Sequence, residues 1–241
     1  MRFFMVFSIF MAFPILIYAQ TPQDEGGITG DAIATIAKVE GTARVLKQGE
    51  IRKHKLKQGD EVFAGDILTT GRRAKVRLNL FDQSIITLGE LAKVSLKSRN
   101  EVAQSEGKAY FNIKPRQDHH QLTVLTDFVL IGVKGTEFLV VATEASNAVT
   151  LKEGQLSMAT VGEQFELYRL NVAKEWSDYQ KNTQDEFDDF KRRMQPNQSK
   201  AEHVDDFELE AGRSVSFDGH RTIEHLFNDA LEGEMKEFEM F

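Results

Sequence analysis

Thirty-seven carboxylates and six histidines are the residues of this 241-residue chain able to hold a metal or move a proton. The histidines are His54, His119, His120, His203, His220 and His225. Only His119 and His120 are adjacent, and neighbours on a strand point to opposite faces. No His-Glu-x-x-His helix pattern and no acidic calcium loop with glycine at the needed offset occurs. The sequence therefore implies no metal and no cofactor, and no residue stands out as an iron ligand. There is no cysteine, so thiolate metal sites, disulfides and a cysteine nucleophile are excluded. Gly-x-Ser-x-Gly elbows, phosphate loops and dinucleotide fingerprints are also missing. Carboxylates are numerous enough for a two-carboxylate hydrolase, but nothing selects a pair. The expectation is a non-enzymatic protein with no catalytic residue.

Two other groups could bind rather than react. One is basic: Arg52, Lys53 and Lys55, with Arg72 and Arg73 further on. On adjacent hairpins they would form a patch for an anionic polymer or an acidic protein. Alternatively, their lysines simply keep a sheet edge from pairing with other chains. The other group is aromatic. Trp176, Tyr179, Phe187 and Phe190 recur at steps of three or four and stripe one helix face, either for a partner or for packing. The net charge of −7 argues against general nucleic-acid binding, which needs a positive field.

The elements behind these groups change character along the chain. Val76, Leu78 and Leu80 alternate with Arg77 and Asn79; Val94 and Leu96 alternate with lysines and Ser95; Leu122, Val124 and Thr126 do the same. This is the period of half-buried strands. Phe138, Leu139, Val140 and Val141 read as a strand buried on both faces. Turns such as Gly59-Asp60, Gly65-Asp66 and Asp82-Gln83-Ser84 interrupt every six to twelve residues. Many short strands imply a sandwich, a barrel or a short solenoid. Residues 20–166 carry 19 basic and 19 acidic side chains, whereas residues 167–241 carry 10 and 18. In that last third the spacing becomes helical. Residues 168–199 read as an amphipathic helix and linker ended by Pro196. Residues 200–218 read as a returning strand pair. Residues 219–241 read as a final helix with Ile223, Leu226, Phe227, Ala230, Leu231, Met235 and Phe238 on one face.

At the other end, Arg2 precedes an apolar run that closes on Ala19. This is the pattern of a secretory signal over residues 1–19, with an uncleaved anchor as the other reading. The run is short for a membrane span. A flexible leader over residues 20–30 would follow, and the mature protein would be periplasmic or secreted, with no stable span.

Gly59, Asp60, Gly65, Asp66, Gly71, Gly107, Gly135, Thr136, Phe138 and Gly154 punctuate the strands in a fixed order over roughly residues 36–160. The series resembles the FecR family of periplasmic domains. The resemblance implies a compact all-β domain over residues 31–167, a solenoid-like stack or a sandwich of short strands, with a helical extension. It also implies a regulator or binding module of the envelope. Regulators of this kind combine a cytoplasmic segment, one membrane span and this domain; the sequence departs from that plan and favours a free scaffold or adaptor. Each motif residue has turn or packing chemistry, so the set reads as structural. The expected function is binding of an envelope protein in signalling or assembly, at a sheet face or edge near residues 132–138. The alternative is an envelope-structural module that binds cell-wall polymer.

Overall fold

The computed structural model describes residues 31–116, 121–169 and 201–241. Its strands in chain order begin with β1 (Ala34–Glu40), β2 (Ala43–Leu46), β3 (Lys53–Lys55), β4 (Glu61–Val62), β5 (Ile67–Thr70) and β6 (Lys75–Leu80). Next come β7 (Ile85–Leu88), β8 (Lys93–Ser98), β9 (Glu101–Asn112), β10 (Leu122–Leu125), β11 (Leu130–Val133), β12 (Glu137–Ala142) and β13 (Asn147–Glu153). The last are β14 (Gln155–Ala159), β15 (Phe165–Tyr168), β16 (Glu202–Val204), β17 (Asp206–Glu210), β18 (Arg213–Asp218) and β19 (Arg221–Leu226), followed by helix α1 (Asp229–Met240).

The strands pair into two layers joined through β9. The first layer runs β4-β1-β6-β7-β9-β12-β13-β18-β19-β15-β16. The second runs β3-β2-β5-β8-β9-β10-β11-β14-β17. All described pairings are antiparallel except β9–β10 and β15–β19. The fold is thus mainly β, with two strand layers packed over one core. Alternation explains why. Val76 and Leu78 of the first layer, and Val94, Leu96, Leu122 and Val124 of the second, are at most 1% exposed and join one core. Phe165 of the first layer meets Phe207 of the second edge-on, with ring centroids 5.4 Å apart. Burying these alternate apolar side chains between the layers is the main favourable term.

The chain crosses between layers at glycines. Gly41, Gly59, Gly65, Gly107, Gly135, Gly154 and Gly212 all sit at such corners with positive φ. At Gly107 the requirement is strictest. A Cβ there would lie 2.6 Å from the Ala92 nitrogen and 2.7 Å from the Leu91 carbonyl, at φ +82°. Only glycine lets β9 turn from the second layer into the first at that point.

The C-terminal third departs from the expected helix. Residues 221–226 form strand β19, with Thr222 fully buried and Leu226 half exposed. The helix begins only after Asn228, whose Oδ1 accepts from the Leu231 nitrogen at 3.0 Å. The expected returning pair is also arranged differently. Gly212 separates β17 from β18, which join opposite layers beside β14 and β13 rather than each other. The expected helix with Trp176, Tyr179, Phe187 and Phe190, the signal segment over residues 1–19, the leader over residues 20–30 and the pair His119-His120 lie outside the described residues.

α1 covers the outer face of the first layer. Met235 and Phe238 pack on Tyr110 and Leu139, forming a second, smaller apolar cluster. Lys108 pairs with Glu234, Lys152 bridges Glu137 (2.6 Å) and Glu239 (3.0 Å), and Arg77 donates to the Glu239 carbonyl at 2.6 Å. Among the described residues no helix is long and apolar enough to cross a membrane.

Candidate functional site: an acidic groove across the strand ends

The motif residues are occupied with the fold. Asp66 is 1% exposed and accepts from Lys47 Nζ (2.9 Å), the Phe63 nitrogen (3.0 Å) and the Gln48 nitrogen (3.2 Å), tying the β4–β5 corner to the turn after β2. Asp60 accepts from the Lys57 nitrogen at 2.8 Å in the turn before β4. Gly71 closes the corner after β5, its nitrogen donating to the Thr42 carbonyl at 2.8 Å. Phe138 is fully buried and stacks on Phe111 with centroids 4.7 Å apart. Thr136 is 3% exposed, and at Gly154 a Cβ would meet the Gly135 carbonyl at 2.7 Å.

The bend over residues 132–138 is mostly packed, with Lys134 exposed at its tip. Gly135 lies against Pro115, where a Cβ would come within 3.1 Å, and a Cβ at Gly132 would collide with the Ser157 hydroxyl. The buried cluster beside it is structural as well. Tyr110 Oη donates to Glu137 Oε1 at 2.6 Å, on the same oxygen that Lys152 reaches. Burial alone would raise the Glu137 carboxyl, but hydrogen bonds from Lys152 and Tyr110 outweigh it and hold it below the usual range. Burial, then Glu137, pushes the Tyr110 phenol far up.

The basic residues belong to separate features. Lys53 and Lys55, preceded by exposed Arg52, are exposed on edge strand β3, with Lys55 opposite Arg44 and Lys53 opposite Leu46. Arg72 is exposed at the β5–β6 corner. Arg73, with φ +54°, offers its backbone nitrogen to Glu90 Oε2 at 2.9 Å and lines a different, acidic feature.

That feature is a groove of about 1380 Å³ across one end of the sandwich, at the strand ends opposite the 132–138 bend. It runs from Glu40 and Arg73, past the corners at Gly89 and Gly107 and the β12–β13 turn, to Val161 and His220. Eight carboxylates line it, among them Glu40, Glu90, Asp127, Glu144 and Glu163, against Arg73, Lys75, Lys108 and His220. Two of those cations are engaged by α1, Lys108 with Glu234 and Lys75 with Glu237 at 3.8 Å. Leu91 and Val161 stand in the groove 53% and 50% exposed, and Leu91 holds φ +53°, a conformation that L side chains seldom adopt. Sequence reasoning did not single out this site. Its carboxylates are scattered over turns far apart in the chain. The one local signal was an apolar residue inside a turn, Leu91 after Gly89-Glu90 and Val161 before Gly162, where no core needs it. Among the described residues no three His, Asp or Glu side chains are arranged to hold a metal ion.

Residues 66–157 match the family model described as "FecR protein". Over this stretch the chain is similar to the FecR family. The matched stretch runs from the Asp66 corner to the middle of β14, narrower than the series over residues 36–160. Strands β1–β4 and β15–β19 lie outside it, yet they complete the two layers of the sheet. Among solved structures, two crystal structures of a candidate anti-sigma factor from Parabacteroides distasonis ATCC 8503 are similar at 13% identity. Each comparison covers 67% of this chain and 60% of that one, with a TM-score of 0.43. This chain thus spans 60% of the length of those structures. A "cell surface anchoring domain" matches at 28% identity over 28% of this chain and 87% of its own, with a TM-score of 0.27. No curated protein matches.

Proposed function

We propose that this protein is a non-enzymatic component of envelope signalling, placed outside the cytoplasm, that recognises a basic, extended segment of a partner protein along the acidic groove. The observation that carries the reading is the groove itself: eight carboxylates around two exposed apolar side chains, Leu91 and Val161. Carboxylates select for Lys and Arg, and the apolar pair supplies contact area that a purely ionic site lacks. The carboxylates sit on several turns held by the rigid layers, a common placement for recognition residues. The FecR domain and the apolar run after Arg2 support the envelope setting. A cell-wall polymer rich in phosphate or carboxylate would be repelled by this lining, so the protein-binding reading is preferred.

The test is cross-linking in the cell. A photo-reactive residue is placed at Leu91 or Val161 of the tagged full chain, and adducts are identified by mass spectrometry. One reproducible protein adduct is expected at both positions, lost when Glu40 and Glu144 are changed to Lys, with the melting temperature unchanged. No adduct at either position, or adducts indifferent to the charge reversal, would overturn the assignment of the groove.

A further inference from the structure

The two edge strands of the second layer carry opposite charge. At one edge of the second layer lies β3, Lys53-His54-Lys55, all exposed and preceded by exposed Arg52. At the other edge lies β17, whose outward residues are Asp206, Glu208 and Glu210. In the first layer β16, with exposed Glu202, ends on the same side as β17. Among the described residues β3 pairs only with β2, and β17 only with β14. Each therefore presents one row of backbone N–H and C=O groups without a strand beside it, which is a template for adding another strand. Lys53, Lys55, Asp206 and Glu210 make no ion pair among the described residues.

We propose that copies of this protein associate head to tail, the basic β3 edge of one against the acidic β17 edge of the next. Charged edges ordinarily prevent sheet-to-sheet pairing, because every copy brings the same sign. Here the rule is selective. Basic edge against basic edge is repelled, acidic against acidic is repelled, and only the mixed contact is attractive. A contact between two different patches is heterologous, so it builds a ring or an open filament rather than a closed dimer. Ile51, 98% exposed in the turn before β3, adds an apolar contact to the basic side. The inference does not rest on what the groove binds.

The test is sedimentation velocity on protein produced from the full chain, at increasing concentration in low and high salt. The average mass is expected to rise with concentration in low salt and to fall back in high salt, where the ionic term is screened. Lys53→Glu with Lys55→Glu makes both edges acidic; Glu208→Lys with Glu210→Lys makes both basic. Each variant alone should lose association at least tenfold, and an equimolar mixture of the two should regain it. The neutral pair Lys53→Gln with Lys55→Gln gives the same loss with less risk to folding, which thermal melting checks. A wild-type monomer at all concentrations in low salt would overturn the proposal. So would charge-swapped variants that associate as the wild type does, or a mixture that stays monomeric.

Discussion

Two glycines separate backbone conformation from close approach. Gly59 and Gly107 share nearly the same φ, +87° and +82°. A Cβ at Gly59 would meet nothing within 4 Å, whereas at Gly107 it would strike backbone atoms of Ala92 and Leu91. Gly59→Ala should therefore cost only the left-handed strain, about 1–2 kcal/mol. Gly107→Ala should cost that and about 1–3 kcal/mol more, because backbone on the neighbouring corner must move. Chemical denaturation of both variants measures the difference, and equal losses would refute the account of the β9 crossing. Asp66 makes the same point for the motif as a whole. Its three donors consume its carboxylate, which leaves it structural. The type of these residues was legible because Gly-Asp pairs mark turns. Their layer-crossing role was not, since it depends on which strands pair.

Among the elements, β12 and α1 show how a sequence signal becomes an assembly. The run Phe138 to Val141 has no polar alternation, and both its faces are in fact covered, one by the core and one by α1. The run gave notice that something must cover the outer face, but not what. The cover came from the end of the chain, and its start was partly masked. Ile223, Leu226 and Phe227 fall at helical steps by coincidence, while the capping residue Asn228 and the acidic first turn mark the true boundary. The cover is small, with Met235 and Phe238 as its buried residues. Phe238→Ala should remove about 3 kcal/mol of docking. Hydrogen exchange should then speed up across residues 229–240 while β9 and β12 stay protected. Acid should act in the same direction. Glu137 is held below the ordinary carboxylate range, so its contribution is complete above the unfolded value of about 4.3 and drains away as pH falls through the lower folded value. Burial alone would lower the Lys152 amine, but the hydrogen bonds it donates to Glu137 and Glu239 outweigh it and hold the amine above its ordinary value. Its share persists up to about pH 10.4 and is lost above that, as pH rises through the folded value. Helix amides that exchange equally in wild type and Phe238→Ala would show that α1 is not held this way.

For the whole molecule, the boundaries of the family match and of the folded unit differ. Residues 66–157 contain the motif corners from Asp66 to Gly154, but not all their strand partners. β1 pairs with β6 along most of its length, β17 with β14, and β18 with β13. Removing those neighbours would uncover Val76, Leu78, Val149, Leu151 and Leu156, all of which are fully buried. Two layers that share β9 and one continuous core have no plane along which to divide cheaply. A chain limited to residues 66–157 should therefore lack a cooperative melting transition and bind hydrophobic dyes. The full chain should show one principal transition for the sandwich. If the short chain instead melted sharply, the flanking strands would be additions to an independent core, and the groove would have to be reconsidered. Its two ends, at Glu40 and at Val161 with His220, are built from strands and turns outside the match. Recognition along the full groove thus requires the same flanking strands that close the sandwich.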